Sequence, residues 1–255
     1  DLMGDDGYQS FSFINEVKLG NHNRFSFNNI QFSVGSDFVP LSFSKNTEFE
    51  GDVFMAGYGF DIDEDSLKWN DYDTNDIKGK WVMILRGAPD GDNPHGIYSE
   101  YVSLRTKALT AKDNHAAGVI FVSGNDFDKN DDLIGLSFER NQQDIGIPVI
   151  NIKRNIANLL LDELSIEQIE SQIKIKKMKF NNFFINKQIK VNVDLVYDTA
   201  NTQNIIGIIN GTDSDFREEY IVIGAHYDHI GYGGEKSGSR RPYLNAVHNG
   251  ADDNA

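Results

Sequence analysis

The chain has 255 residues, enough for one large domain or two modest ones, and its 39% hydrophobic and 25% charged content is that of a soluble globular protein. Its 24 Lys and Arg stand against 39 Asp and Glu, a net charge of −15, which argues against a nucleic-acid partner, since that needs a basic face, and against an anionic membrane surface. There is no cysteine, hence no disulfide, thiolate metal site or Cys nucleophile, and no apolar run reaches membrane-spanning length. The first residue is Asp1 rather than an initiator Met, so the natural N-terminus, with any signal peptide, is expected to lie outside these residues.

Residues 1–45 alternate aromatic and polar side chains: Phe11-Ser12-Phe13, Phe25-Ser26-Phe27 and Phe32-Ser33-Val34. Period-two alternation predicts half-buried strands, with turns at Gly20-Asn21 and Gly35-Ser36. No helix here covers a sheet, so this stretch must pair with something else. Residues 46–160 read as an α/β module. A strand at 52–56 ends in Gly57-Tyr58-Gly59, and an acidic loop spans Asp61 to Asp76. Buried strands are predicted at 80–85, 118–122 and 147–152, and helices at 101–116 and 156–164.

Between 165 and 198, lysines alternate with apolar residues in Ile173-Lys174-Ile175-Lys176 and Ile189-Lys190-Val191. This reads as a solvated edge strand that uses Lys to block edge pairing, in preference to a basic patch. Residues 204–210 and 220–225 are two apolar runs joined through Asn210-Gly211, and both read as central strands of an α/β sheet. Ligands of such sheets gather beyond the C-terminal strand ends, which is where His226 and Asp228 fall.

In an extended segment His226 and Asp228 point the same way, so they can act as ligand and orienter or as two ligands. Asp252 and Asp253 follow Gly250 about 25 residues later, and one carboxylate can bridge two metal ions. By spacing alone, a packed or surface histidine and a pair of turn aspartates explain the same residues. Two protein ligands also rarely hold a catalytic zinc; three or more are usual. The missing ligands are therefore expected beyond residue 255.

Gly224-Ala225-His226-Tyr227-Asp228-His229-Ile230-Gly231, followed by Asn249-Gly250-Ala251-Asp252-Asp253-Asn254-Ala255, closely resembles the signature of the M28 zinc aminopeptidases. The likeness extends over Asn204 to Gly211 and Glu219 to Gly224. The middle of the chain resembles the protease-associated (PA) domain inserted in many of these enzymes. The matching residues include Val53 to Gly59, Asp71-Tyr72, Asp76 to Val82, Leu85-Arg86-Gly87, Lys107, Ala111-Lys112, Ala116 to Ile120 and Ile147-Pro148-Val149. Gly4 to Phe11 resembles the segment that precedes this insertion.

The resemblance implies an α/β fold in which a PA-type, β-rich α/β domain is inserted into the start of a zinc-peptidase α/β sheet. Residues 1–45 would be N-terminal strands flanking the insertion, 46–165 the PA-like domain, and 166–255 the first strands of the peptidase domain. It implies a secreted or periplasmic aminopeptidase with two zinc ions and a peptide substrate. His226 would be a ligand to one zinc, Asp253 the carboxylate bridging both, and Asp228 the partner that orients His226. The family's general-base glutamate and remaining ligands come after these motifs, so the chain by itself is expected to be inactive. A reading of a different class is a non-catalytic binding or receptor module on the same fold. A carboxypeptidase or another amidohydrolase on the same metal core is a third.

Other motifs carry less. Asp61-Ile62-Asp63 and Asp126-Phe127-Asp128 imitate the start of a calcium loop but lack its Gly and Glu at the sixth and twelfth positions. The stretch Gly231 to Gly238 lacks the spacing of a P-loop and reads as a flexible loop rimming a substrate pocket. His229 and His248 are read as second-sphere or surface residues. Asn210-Gly211-Thr212 fits both a glycosylation acceptor and a hairpin turn.

Overall fold

The computed structural model describes residues 7–73, 77–91, 93–136, 143–176, 183–216, 218–227, 229–234 and 237–248. The chain divides into two compact units, one of residues 10–203 and one of residues 1–9 with 204–255. The larger unit begins with most of β1 (Tyr8–Leu19), then β2 (Arg24–Phe27), β3 (Ile30–Phe32), β4 (Phe38–Pro40) and β5 (Thr47–Met55). The hairpin β6 (Asp61–Glu64) and β7 (Leu67–Asn70) follows, then β8 (Trp81–Leu85), α1 (Leu104–Asp113), β9 (Gly118–Val122) and β10 (Val149–Ile152). The helices α2 (Arg154–Leu161) and α3 (Ile166–Lys176) lead to β11 (Phe183–Val193) and β12 (Leu195–Ile205).

Eight strands form one mixed sheet in the order β3-β2-β11-β5-β8-β9-β10-β4. The four central strands β5, β8, β9 and β10 are parallel, and antiparallel strands flank them. The apolar runs of β8, β9 and β10 are continuous because both faces of the sheet are covered. Trp81, Met83 and Leu85 point to one core with Ile120, Val122 and Ile150, against α2 and α3. Val82 and Ile84 point to the other with Val119, Phe121 and Val149, against α1. The sheet-rich α/β architecture expected from the alternation of strands and helices is therefore present. Residues 24–40, expected to need a partner, supply both outer ends of the sheet: β2 pairs with β11 and β4 with β10.

The structure corrects three local expectations. Residues 166–176 are helical, not an edge strand. Ser165 and Gln168 form a reciprocal capping box: the Gln168 N–H donates to Ser165 Oγ (3.2 Å), and the Ser165 N–H to Gln168 Oε1 (2.8 Å). Ile166, Ile169 and Ile173 are then buried on one helical face. The strand β11 is interior, because β2 lies on one side of it and β5 on the other. Its lysines point off the sheet, with Lys190 paired to Glu48 at 2.9 Å, while Ile185, Ile189, Val191 and Val193 fill the core. Finally, residues 61–70 of the supposed acidic loop form the β6–β7 hairpin. It pairs Ile62 with Trp69 and buries both against the larger core.

One close approach fixes the middle of the sheet. A Cβ on Gly118 would lie 2.5 Å from two atoms of the Trp81 ring, which is fully buried. Gly118→Ala is expected to lower stability by about 1–3 kcal/mol through overpacking, despite the usual preference for Ala over Gly in a strand. A shift of the urea midpoint at unchanged slope measures this.

Candidate functional site

The smaller unit carries the residues singled out as metal ligands. Its backbone starts with a hydrogen bond from the Ile206 N–H to Gly7 O at 2.9 Å. Beyond Ile205 the expected central strands are not formed: residues 206–210 and 220–225 are irregular. Ile221, Val222 and Ile223 are 94%, 89% and 94% exposed. A buried parallel strand needs a neighbour on each side for its N–H and C=O groups and a layer on each face. Among the described residues nothing supplies these to 220–225, so apolar content alone does not produce the strand.

His226 is accordingly exposed in an irregular segment. Asp228, Asp252 and Asp253 lie outside the described residues. Among the described residues no group of three or more His, Asp or Glu side chains could hold a metal ion. The structure thus places His226, the one of these residues that lies among the described residues.

The stretch after His229 is better defined. The His248 N–H donates to Gly231 O (2.7 Å) and the Gly234 N–H to Pro242 O (3.1 Å), which closes the loop on itself. Within it, Ser239 Oγ accepts the Arg241 N–H at 3.0 Å and lies 3.3 Å from His248 Nδ1. His248 Nε2 is 3.3 Å from Leu244 O. Both ring nitrogens of His248 are therefore engaged inside the loop, which makes it a loop-holding residue. Gly233, at φ +81°, leaves room for that ring: a Cβ there would sit 2.8 Å from Nε2. His229, Ile230, Gly238, Ser239, Arg240, Arg241 and His248 line a cavity of about 360 Å³. The sequence reading missed the two arginines. Their signal was a dibasic step in an acidic chain.

A second cluster lies in the larger unit. Lys107 on α1 is 1% exposed. Its ammonium donates to Leu85 O (2.9 Å) and Gly87 O (2.6 Å), and stands over the Tyr58 and Phe60 rings at 5.2 and 4.7 Å. Burial pushes it down to about 7 against the opposing attraction of Asp71. Asp71 is itself fully buried and accepts from the Phe60 N–H and Trp69 Nε1, each at 3.0 Å. Burial raises its carboxyl to about 7, outweighing those hydrogen bonds and the lysine. Both groups are closed off from solvent, so this cluster ties α1 and the β6–β7 hairpin to the end of β8. Asp128, of the calcium-like motif, accepts from the N–H groups of Asn130, Asp131 and Asp132 and thereby caps its own loop.

Comparison with known proteins gives two family matches. Residues 49–160 match the PA domain and residues 204–255 match Peptidase family M28. Among solved structures the chain is 14% identical to an aminopeptidase from Aneurinibacillus sp. strain AM-1, with a TM-score of 0.45, over 77% of this chain and 36% of that one. It is 16% identical to a zinc aminopeptidase from Bacillus subtilis, with a TM-score of 0.44, over 76% and 35%. A peptidase M28 precursor from Shewanella amazonensis SB2B gives 13% identity and a TM-score of 0.38, over 79% and 40%. The chain thus spans little more than a third of the length of these structures. No curated protein sequence matches it. No helix among the described residues is long and apolar enough to cross a membrane.

Proposed function

The chain carries a PA domain at residues 49–160 and a Peptidase family M28 segment at residues 204–255, and on that premise we propose that it is part of a secreted or periplasmic zinc exopeptidase that removes N-terminal residues from peptides. The observation that carries this reading is the family match over 204–255, the stretch that holds His226, Asp228 and Asp253. In this reading the His226 imidazole and the Asp253 carboxylate would be among the groups that hold zinc. Asp228 accepts the other imidazole N–H, which fixes the tautomer and the ring orientation, so it is a positioning residue. Bound zinc supplies Lewis-acid activation of a water and of the scissile carbonyl.

Imidazole and carboxylate are donor types that suit zinc. Two such residues are fewer than a catalytic zinc takes, so the reading requires further ligands and a general base. Residues 1–255 by themselves are accordingly expected to turn over no peptide. The test uses the complete protein with zinc, Leu-Gly-Gly and its N-acetylated form, with products identified by mass spectrometry. The proposal expects free leucine from the first peptide and no reaction with the second. Release of the C-terminal residue would replace it with a carboxypeptidase, and recovery of both peptides intact with a binding module.

A further inference from the structure

The loop between His229 and His248 reverses the charge of the rest of the chain. It holds three bases, Lys236, Arg240 and Arg241, and one acid, Glu235, in a protein of net charge −15. Arg240 and Arg241 are adjacent, and on a strand their side chains would leave opposite faces. Here the backbone bends at both residues, and both line the 360 Å³ cavity with His229, Ser239 and His248. Among the described residues no carboxylate lines that cavity and no ion pair joins either guanidinium to one. The frame that holds them is fixed, because Ser239 Oγ accepts the Arg241 N–H and faces His248 Nδ1.

We propose that this cavity is a carboxylate-binding site for short peptides, with Arg240 and Arg241 as its anion-binding groups. A guanidinium presents paired N–H donors that match the two oxygens of a carboxylate, and two forks at one cavity leave it with a cationic lining. Which end of the peptide it holds rests on the exopeptidase reading. His229 is three residues from His226, at most about 11 Å along the chain. In a dipeptide or tripeptide the C-terminal carboxylate lies one or two residues, about 4–7 Å, from the first peptide carbonyl. The span of such a peptide is thus of the same order as the longest separation the chain allows between His226 and His229, which lines the cavity. Such a site selects short peptides, or peptides with an acidic residue after the scissile bond.

Calorimetric titration of the complete protein with three probes tests this: Gly-Gly, Gly-Gly amide, and Gly-Asp amide, which has only a side-chain carboxylate. At least one acid-bearing probe is expected to bind on the order of 10- to 100-fold more tightly than Gly-Gly amide, the worth of a charge-assisted bond. Preference for Gly-Gly assigns the C-terminal carboxylate, and preference for Gly-Asp amide the acidic side chain. The exposed double substitution Arg240→Gln with Arg241→Gln is expected to abolish the difference, and Arg240→Lys with Arg241→Lys to restore part of it. Equal binding of all three probes, or an acid preference that survives the glutamines, would overturn the site. A protein that shows the preference but leaves Leu-Gly uncleaved keeps the carboxylate site and loses the peptidase reading. One that cleaves Leu-Gly and Leu-Gly amide alike, and binds all probes equally, does the reverse.

Discussion

Lys107→Ala is expected to destabilise the eight-stranded unit by roughly 3–5 kcal/mol, the cost of a core cavity together with two buried acceptors left without their donor. The change leaves Leu85 O and Gly87 O without their donor, opens a void beside the Tyr58 and Phe60 rings, and removes the cation that attracts the Asp71 carboxylate. Lys107→Met keeps most of the volume but not the donors, so a smaller loss of about 1–3 kcal/mol is expected. Urea unfolding with unchanged slope separates the two. The pH dependence carries its own sign. The Lys107 ammonium falls to about 7 in the folded protein from an ordinary 10.5. Between those values the unfolded chain binds the extra proton, so the contribution of Lys107 to stability rises with pH. The penalty of Lys107→Met should therefore grow from about pH 7 toward pH 10.5. Asp71 runs the other way. Its carboxyl rises to about 7 from 3.8, the folded state holds the extra proton in that window, and its contribution falls as pH rises through it. A Lys107→Met penalty that is flat from pH 7 to 10 would mean the ammonium is no less stable buried than in water.

Strands β8 and β9 were legible in the sequence because runs of five and four apolar residues with glycines close to either end have few alternatives to a doubly covered strand. The helix α3 was not, because Ile173-Lys174-Ile175-Lys176 satisfies period two locally. The decisive signal was the capping box at Ser165 and Gln168, outside that window. The lysines of β11 misled for a related reason. Alternating Lys marks one solvated face of a sheet, and a face says nothing about whether the strand is at its edge. The run 220–225 shows the limit of composition. Tyr220-Ile221-Val222-Ile223 has strong strand propensity, yet its backbone groups have no paired strand among the described residues. At the candidate site, His226 could be found by motif, whereas the Arg240 and Arg241 cavity follows from a bend at which neighbours share one side, and no periodicity encodes that.

The second large effect concerns His226. In the complete, zinc-loaded protein, His226→Ala is expected to reduce kcat/KM by more than 100-fold and to lower the bound zinc. Asp228→Asn is expected to cost 10- to 100-fold, the usual effect of losing the group that orients a metal-bound histidine. The two substitutions separate by metal content. Excess zinc should restore much of the Asp228→Asn activity, because the imidazole is still present, and little of the His226→Ala activity. Full zinc content and full activity in His226→Ala would remove this residue from the site.

The most direct measurement is a zinc titration of the complete protein after a chelator has stripped it, following leucine release from Leu-Gly-Gly against zinc bound per chain. The account predicts no release without metal, recovery on zinc addition that saturates at two ions per chain, and no recovery in His226→Ala. Undiminished release from the stripped protein, or zinc binding with no release at any stoichiometry, would contradict it.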